Sequence, residues 1–230
     1  MAERGLNALR RSLLLAGGAA LAGCAHRGAP PQADWHEVRL PGKVATQYRW
    51  EHKAGRRALA AYAQASASMW RRRLDVQPDR IGDVGFSWWV DQLIAGASVA
   101  HAEHEDSPVR VVFGFDGDRS RLSARTRAMF ELAEALTGEQ PPFATLMYVW
   151  ENQAPVGSVV TNPRTDRIRK IVADSGPAQL GRWRDHRRHL ADDFRLAYGE
   201  APGRLVSVAL MTDADNTRST ARAWYGPVQL

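Results

Sequence analysis

Hydrophobic and polar residues alternate along two stretches of the chain, residues 84–91 and 109–116. An alternation with a period of two is typical of a β-strand that buries one face and exposes the other. In the first stretch Phe86 and Trp88 fall on the apolar face, and Trp89 falls on the opposite one. We therefore predict that Trp88 lies in the core and that Trp89 does not.

Other stretches also favour strands. Residues 44–52 and 57–67 flank a turn-like Lys-Ala-Gly-Arg segment at 53–56, which predicts a β-hairpin. The remaining strand candidates are residues 69–76, 145–152, 167–174, 205–212 and 220–230.

Two segments follow the helical period instead. Residues 123–137 place apolar side chains on one helical face before Gly138, and residues 183–198 do so before Gly199. In the second segment His189 is one turn from Asp185 and from Asp193, which predicts ion pairs on a helix surface. Together the patterns predict a mainly β fold, a jelly-roll-like β-sandwich with two inserted helices.

The N-terminal segment has a different character. Basic residues precede a short apolar run, 13–22, and the run ends in Leu21-Ala22-Gly23-Cys24. These are the marks of an export signal, and the motif resembles the lipobox of bacterial lipoproteins, whose cysteine receives lipid. The sequence predicts an export signal at 1–23, a lipidated Cys24 with a tether at 24–40, and one β-sandwich domain at 41–230. Arg10-Arg11 leaves the general and the twin-arginine export routes both open.

Charge and cysteine content limit what the protein can bind and how it can be cross-linked. The first 23 residues hold three basic residues and one acidic residue, so the remainder carries 28 basic and 24 acidic residues, a net charge of +4. The arginines are spread along the chain, and together with the export signal this argues against a nucleic-acid partner. Cys24 is the single cysteine, so a lipidated chain has no thiol left for a disulfide or a cysteine metal site.

The chain resembles the bacterial proteins grouped as domain of unknown function 3047, over about residues 41–230. The resemblance rests on the blocks 71–76 (RRRLDV), 86–91 (FSWWVD), 110–113 (RVVF), 148–152 (YVWEN), 157–163 (GSVVTNP), 171–176 (IVADSG), 211–217 (MTDADNT) and 221–228 (ARAWYGPV). It implies a secreted or envelope-attached β-sandwich and brings no established activity. Pro227 departs from the family pattern, which usually has an acidic residue there, and this weakens a metal-ligand role for the last strand.

Residues of the kind that bind sugars occur near predicted strand ends. Trp150 and Asn152 end one strand, Asn162 follows in the next loop, and Glu105 and Asp106 close an acidic loop. An aromatic ring stacks on a sugar while amides and carboxylates bind its hydroxyls. We predict ligand binding by these five residues. Tryptophans of a sandwich also pack in cores, so both interpretations apply to Trp150.

Two clusters contain metal-ligand types. Residues 101–106 (HAEHED) either bind a divalent ion or form an exposed acidic loop. Asp213, Asp215 and Asn216 follow a strand, and their oxygens either coordinate calcium or accept hydrogen bonds from turn amides. We expect no cofactor, with calcium at Asp213, Asp215 and Asn216 as the alternative.

The combined hypothesis is a lipid-anchored envelope protein that binds a carbohydrate or a similar polar ligand without catalysis. Ala25 follows the cysteine, which favours the outer membrane, with the domain facing the periplasm. One alternative is a glycan hydrolase that uses Glu105, Asp106 or Glu151. The other is an assembly protein that binds another envelope protein. The sequence leaves open whether the protein is an enzyme.

Overall fold

Two β-sheets and two helices make up residues 34–230, the part of the chain that this computed structural model describes. The strands are β1 Trp35–Arg39, β2 Gln47–Lys53, β3 Arg56–Gln64, β4 Ala67–Val76, β5 Asp83–Val90, β6 Ser107–Phe115, β7 Ala144–Glu151, β8 Val159–Thr161, β9 Ile168–Ser175, β10 Trp183–His189, β11 Leu205–Asp213 and β12 Thr220–Tyr225. The helices are α1 Ala124–Thr137 and α2 Leu190–Tyr198.

The strands form a sandwich. Sheet A has seven strands in the order β1-β4-β11-β6-β7-β9-β8, and sheet B has five in the order β10-β5-β12-β3-β2. Neighbouring strands are antiparallel except for β7 and β9. The chain changes sheet between most consecutive strands, for example from β3 to β4 to β5 to β6. The predicted jelly-roll-like β-sandwich is therefore confirmed.

The core lies between the sheets and has the predicted alternation. Phe86 and Trp88 of β5 are buried in it, together with Phe113 of β6, and the Trp88 side chain is completely covered. Trp89 belongs to a different apolar cluster on the other side of sheet B. The period of two thus placed both neighbouring tryptophans correctly.

The first predicted helix is confirmed as α1. The Ser123 side chain accepts a hydrogen bond from the Thr126 amide and caps its start. Gly138 ends it with φ of 70°, a conformation that costs glycine little. The predicted hairpin is also present between β2 and β3. Its turn uses Ala54 and Gly55, both at positive φ.

The second predicted helix is wrong in its first half. Residues 183–189 form β10, which pairs with β5, and the helix begins only at Leu190. The predicted pairs with His189 do not form: Asp185 binds Arg56, and Asp193 binds Arg188. The side chains of β10 that point between the sheets are polar, so this strand lacks the alternation of apolar and polar residues by which strands are predicted.

Sheet A includes residues of the segment that we assigned to the tether. Strand β1, Trp35–Arg39, pairs with β4 there. Backbone pairing on the edge of sheet A produces this strand without an apolar pattern of its own. The predicted export signal and Cys24 lie outside the described residues. Within residues 34–230, neither helix has the length and apolarity needed to cross a bilayer.

Candidate ligand-binding face

Trp150 does not offer a surface to a ligand. Its side chain is 0% exposed and packs in the core between the sheets. Its indole N–H donates to the carbonyl oxygen of Gly176 at 3.1 Å. The prediction of a ligand-binding role for Trp150 is therefore wrong, because strand alternation turns this ring inward, and the core interpretation holds.

Glu105 and Asn162 come together but bind each other. The Asn162 amide donates to both carboxylate oxygens of Glu105, at 2.8 and 3.0 Å. Lys170 Nζ lies 2.7 Å from Glu105 Oε1, and Arg164 Nη1 lies 3.1 Å from Oε2. Since both predicted ligand residues are buried with protein partners, the surface site that we expected from them is not formed.

These contacts hold the long connection between β5 and β6, residues 91–106, against sheet A. Val99 of this connection packs on Val149 and Val172, on the face that points away from sheet B. Lys170 Nζ donates to the Val99 carbonyl oxygen at 2.7 Å. Burial, with the nearby Arg110 charge, lowers the pKa of Lys170 to about 8, and Glu105 acts against that shift. The network therefore anchors a loop.

Asp106 and Asp213 bind the backbone of each other's segments. Asp106 accepts hydrogen bonds from the amides of Asn216 and Thr217, at 3.1 and 2.7 Å. Asp213 accepts from the Ser107 amide at 2.8 Å and from Arg110 Nη2 at 3.1 Å. Asp106 therefore serves the turn after β11 rather than a bound ligand.

Three carboxylates do approach one another at this turn. One oxygen each from Asp106, Asp213 and Asp215 lies within 4.8 Å of the others. Burial and the neighbouring Asp106 raise the pKa of Asp213 to about 6, although Arg110 opposes this. Lys43 forms an ion pair with Asp215, and the Asn216 amide donates to the Ala102 carbonyl. Calcium takes about six to eight oxygens. Here N–H donors occupy carboxylate oxygens, which suits a turn that needs no ion.

Asn152 lines a pocket of about 420 Å³ at the end of β7. Its amide donates to the Ile94 carbonyl oxygen at 2.7 Å, so it too contacts the loop 91–106. Glu151 lines the same pocket but accepts from the amides of Ala154 and Val99, at 2.8 and 3.3 Å. His101 is the histidine of this pocket.

A second aromatic cluster lies on the side of sheet B that points away from sheet A, here called the outer face. Trp89, Trp183 and Trp224 stand side by side on β5, β10 and β12, with Trp89 directly opposite both others in the strand register. The rings of Trp89 and Trp183 are 6.0 Å apart in an edge-to-face arrangement. Ala58 and Ala60 of β3 complete this cluster.

Polar groups of the same face hold the three indoles. Trp224 donates to Glu51, Trp89 donates to Asp91 at 2.5 Å, and Trp183 donates to the Lys53 carbonyl at 3.0 Å. Lys53 Nζ lies 3.6 Å from the centroid of the Trp224 ring, a cation–π contact. These contacts fix the three indole rings, so the cluster forms a rigid support for the neighbouring part of the outer face.

Next to this support the outer face has a shallow depression of about 270 Å³. Ala60 lies between Arg49 of β2 and Trp224 of β12 in the strand register. Tyr62 lies two residues further along β3, with Gln47 and Arg222 on its two sides. Because Ala60 has only a methyl group, its neighbours stand above it and form the walls. Tyr62 remains 39% exposed at one end.

A model of the family described as "Protein of unknown function (DUF3047)" matches residues 33–229. The chain belongs to this family. The resemblance seen in the sequence is thereby confirmed.

No curated protein matches this DUF3047 chain. Two solved structures that match its fold are family 11 carbohydrate-binding modules from Clostridium thermocellum. One is in complex with a β-1,3-1,4-mixed-linked tetrasaccharide, with a TM-score of 0.42 and 8% identity over 88% of this chain and 89% of that one. The other, from a cellulosomal cellulase, has a TM-score of 0.41 and 9% identity over 88% of each chain.

Sequence reasoning missed the depression of this DUF3047 domain. Trp183 was assigned to a helix, and Ala60 and Tyr62 carry no motif. One usable signal was present. The adjacent Trp88 and Trp89 on a strand require one indole on the outer face, and this indicates that the outer face of sheet B is aromatic.

Proposed function

We propose that this DUF3047 protein is a non-catalytic module that binds a carbohydrate on the outer face of sheet B, in the depression above Ala60. The observation that carries the proposal is the placement of Tyr62, an exposed aromatic ring, beside a small-residue floor with polar walls. The walls are formed by Gln47, Arg49 and Arg222.

The side chains above β3 suit contact with a sugar. Strands β2 and β12 flank β3, so their backbones stand about 10 Å apart, twice the spacing of neighbouring strands. Arg222 of β12 reaches across β3 to Glu51 of β2, so a bound sugar would lie above this bridge, with its C–H face on the exposed Tyr62 ring and its hydroxyls near Gln47, Arg49 and Arg222. Stacking with peripheral hydrogen bonds is how aromatic and amide groups hold polar ligands.

The walls are held before a ligand arrives. Glu51 accepts from Arg49 Nε at 3.0 Å and from Arg222 Nη2 at 3.3 Å, and it also accepts from the Trp224 indole. The side chains of Arg49 and Arg222 therefore lose less conformational freedom when they bind a ligand. Such preorganisation favours affinity, because less entropy is lost on binding.

The hydrolase alternative gains no comparable support. Glycoside hydrolysis by the usual route needs two carboxyl groups that flank the scissile bond. Glu105, Asp106 and Glu151, the carboxylates considered for that role, each accept hydrogen bonds from protein donors. The described residues that line the depression above Ala60 include no carboxylate.

We also propose that the module is anchored in the cell envelope through lipid on Cys24 and that it faces the periplasm from the outer membrane. The support is the Leu-Ala-Gly-Cys motif after an apolar run, followed by Ala25. Each buried CH₂ contributes about 0.8 kcal/mol, so two or more acyl chains give stable attachment. An anchored module of this kind would bind a glycan of the envelope or its surroundings.

Tyr62→Ala tests the binding site. The purified full-length protein is screened on an immobilised glycan panel, and the affinity of each positive glycan is measured by calorimetry. We expect Tyr62→Ala to weaken binding about tenfold or more, which corresponds to about 1.4 kcal/mol. Trp50→Ala is the matched control, since Trp50 is an exposed aromatic residue on the other side of β2. Equal affinity of wild type and Tyr62→Ala, or no glycan bound at all, would overturn the proposal.

A further inference from the structure

The depression above Ala60 carries a surplus of positive charge. Arg49 and Arg222 both line it, and both form ion pairs with the single carboxylate of Glu51. Their side chains are 72% and 49% exposed, whereas the Glu51 side chain is 24% exposed. Two guanidinium groups share one carboxylate, so a net positive charge faces the solvent.

The rest of the outer face is balanced. Its other cations each have an acidic partner of their own, in the pairs Lys53–Asp91 at 3.0 Å, Arg56–Asp185 at 2.6 Å and Arg187–Asp83 at 2.7 Å. Among the described ion pairs of the outer face, the surplus is therefore confined to the depression. A uniform basic surface affects solubility and non-specific binding, whereas positive charge localised in a depression raises the local concentration of an anionic ligand there.

Glu51 remains charged and keeps the two arginines in place. The hydrogen bond from Trp224, together with Arg49 and Arg222, holds the pKa of Glu51 below its ordinary value. It is therefore an acceptor at neutral pH and keeps both guanidinium groups as its donors. In the described contacts Arg49 gives Glu51 only its Nε–H and Arg222 gives it only an Nη2–H.

The remaining donors have a defined chemistry. A guanidinium has five N–H groups in a planar fork, which matches the paired oxygens of a carboxylate or phosphate better than a hydroxyl. Arg49 and Arg222 stand on the two strands that flank β3, so a group bound by both would lie above β3, beside Tyr62. A sugar ring that carries it can then stack on Tyr62.

We infer that the depression selects anionic sugars, which carry a carboxylate or a phosphate group, through Arg49 and Arg222. This inference rests on the proposed carbohydrate-binding function and names its ligand class. The anionic group neutralises the surplus charge, and the exposed ion pair weakens as salt screens it. A neutral sugar makes the stacking contact alone.

Affinity electrophoresis of the full-length protein tests the inference. One gel series contains polygalacturonate or its carboxyl-reduced derivative, and another contains phosphomannan or its dephosphorylated derivative. We expect at least one anionic polymer to bind about tenfold more tightly than its neutral counterpart. The series that shows the difference distinguishes carboxylate from phosphate. Raising salt from about 0.05 to 0.5 M should remove most of that difference.

Variants locate the effect. Arg222→Gln should reduce the affinity for the anionic polymer to that for its neutral form, and Arg49→Gln is a second variant of the same site. Arg187→Gln is the matched control, since it removes one exposed arginine from β10, away from the depression. Circular dichroism verifies that each variant is folded.

Three results of these binding measurements would overturn the inference. Equal binding of anionic and neutral polymers would overturn the inference and leave the carbohydrate-binding proposal standing. No binding to any of the four polymers would overturn the inference, and with an empty glycan panel it would also overturn the proposed function. An equal loss in Arg187→Gln and Arg222→Gln would show that net charge, rather than the depression, determines binding.

Discussion

Trp88 donates its indole N–H to the carboxylate of Asp174 at 2.7 Å, across the space between the two sheets. Trp88 belongs to β5 of sheet B and Asp174 to β9 of sheet A. The same carboxylate also contacts His186 Nε2 at 2.8 Å and accepts from Arg184 Nε at 3.0 Å, both from β10. One buried acid thus joins three strands, and a polar contact specifies how the sheets pack.

Replacing Trp88 tests the packing of this region. Trp88→Ala should lower the free energy of unfolding by about 3–5 kcal/mol, because a fully buried aromatic ring is lost. Trp88→Phe should cost less, but more than about 1 kcal/mol, because Asp174 loses a donor. Urea unfolding at pH 7 measures both, with Trp50→Ala as an exposed control. A loss below about 1 kcal/mol for Trp88→Ala would contradict the register of β5.

The stability contributed by Asp174 should depend on pH. Burial acts to raise its pKa, but the hydrogen bonds from His186 and Trp88 outweigh burial and leave the pKa below its ordinary value. A carboxyl with a lowered pKa stabilises the fold above its unfolded-state pKa of about 3.9, and the stabilisation is lost as pH falls through the folded-state value.

Asp174→Asn should therefore destabilise the protein at pH 7, and the difference from wild type should shrink below about pH 4. Urea unfolding of both proteins at pH 7 and at pH 3 measures the two differences. A cost that stays the same at both pH values would mean that the charge of Asp174 contributes nothing.

The loop 91–106 should loosen when its anchor is removed. Lys170→Met removes the hydrogen bond to the Val99 carbonyl and the ion pair with Glu105. We expect faster hydrogen exchange of amides in the loop, with the exchange of the central strands unchanged. Arg169→Met is the control, because Arg169 stands next to Lys170 on β9 but donates to the Asp166 carbonyl oxygen at 3.1 Å rather than to the loop. Unchanged protection of the loop in Lys170→Met would refute the anchoring role.

Calcium should have little effect on stability. Donors already occupy carboxylate oxygens of Asp106, Asp213 and Asp215, so we expect calcium or a chelator to change the melting temperature by less than about 1 °C. Differential scanning calorimetry of the full-length protein makes the comparison. A rise of several degrees with calcium that Asp213→Ala abolishes would instead establish a metal site at this turn.

Cys24 should carry lipid. Metabolic labelling with a radioactive fatty acid in the producing bacterium should label the wild-type protein and leave Cys24→Ala unlabelled. The label should accompany the protein into the membrane fraction, and Cys24→Ala should remain soluble after export. Equal label in both proteins would defeat the prediction.

Local patterns in the sequence were enough for part of this fold. The alternation around Phe86 and Trp88 identified β5 and its buried face, because successive side chains of a strand point to opposite sides. Ser123 and Gly138 marked the ends of α1, because they satisfy or end its backbone hydrogen bonds locally. Family membership also followed from the sequence, because blocks of residues can be matched to a family without any knowledge of tertiary contacts.

Tertiary structure decided the rest. Strand β10 has His186 stacked on Phe86 and Arg184 bound to Asp174, so its inward residues are polar, and no apolar period marks it. From the sequence, Glu105 and Asn162 are simply polar residues in loops. Only their contact across 57 residues of chain shows that they anchor the loop 91–106.

The proposed binding face was beyond sequence reasoning for the same reason. Arg49, Ala60 and Arg222 come from three strands, and the pairing of β2 with β3 and of β3 with β12 brings them together. Ala60 forms the floor of the depression only because larger side chains on the neighbouring strands stand on both sides of it. The sequence by itself determined which segments become strands and which strand faces are apolar, because those depend on neighbours in the chain. Only the sheet register determined which distant side chains share a surface.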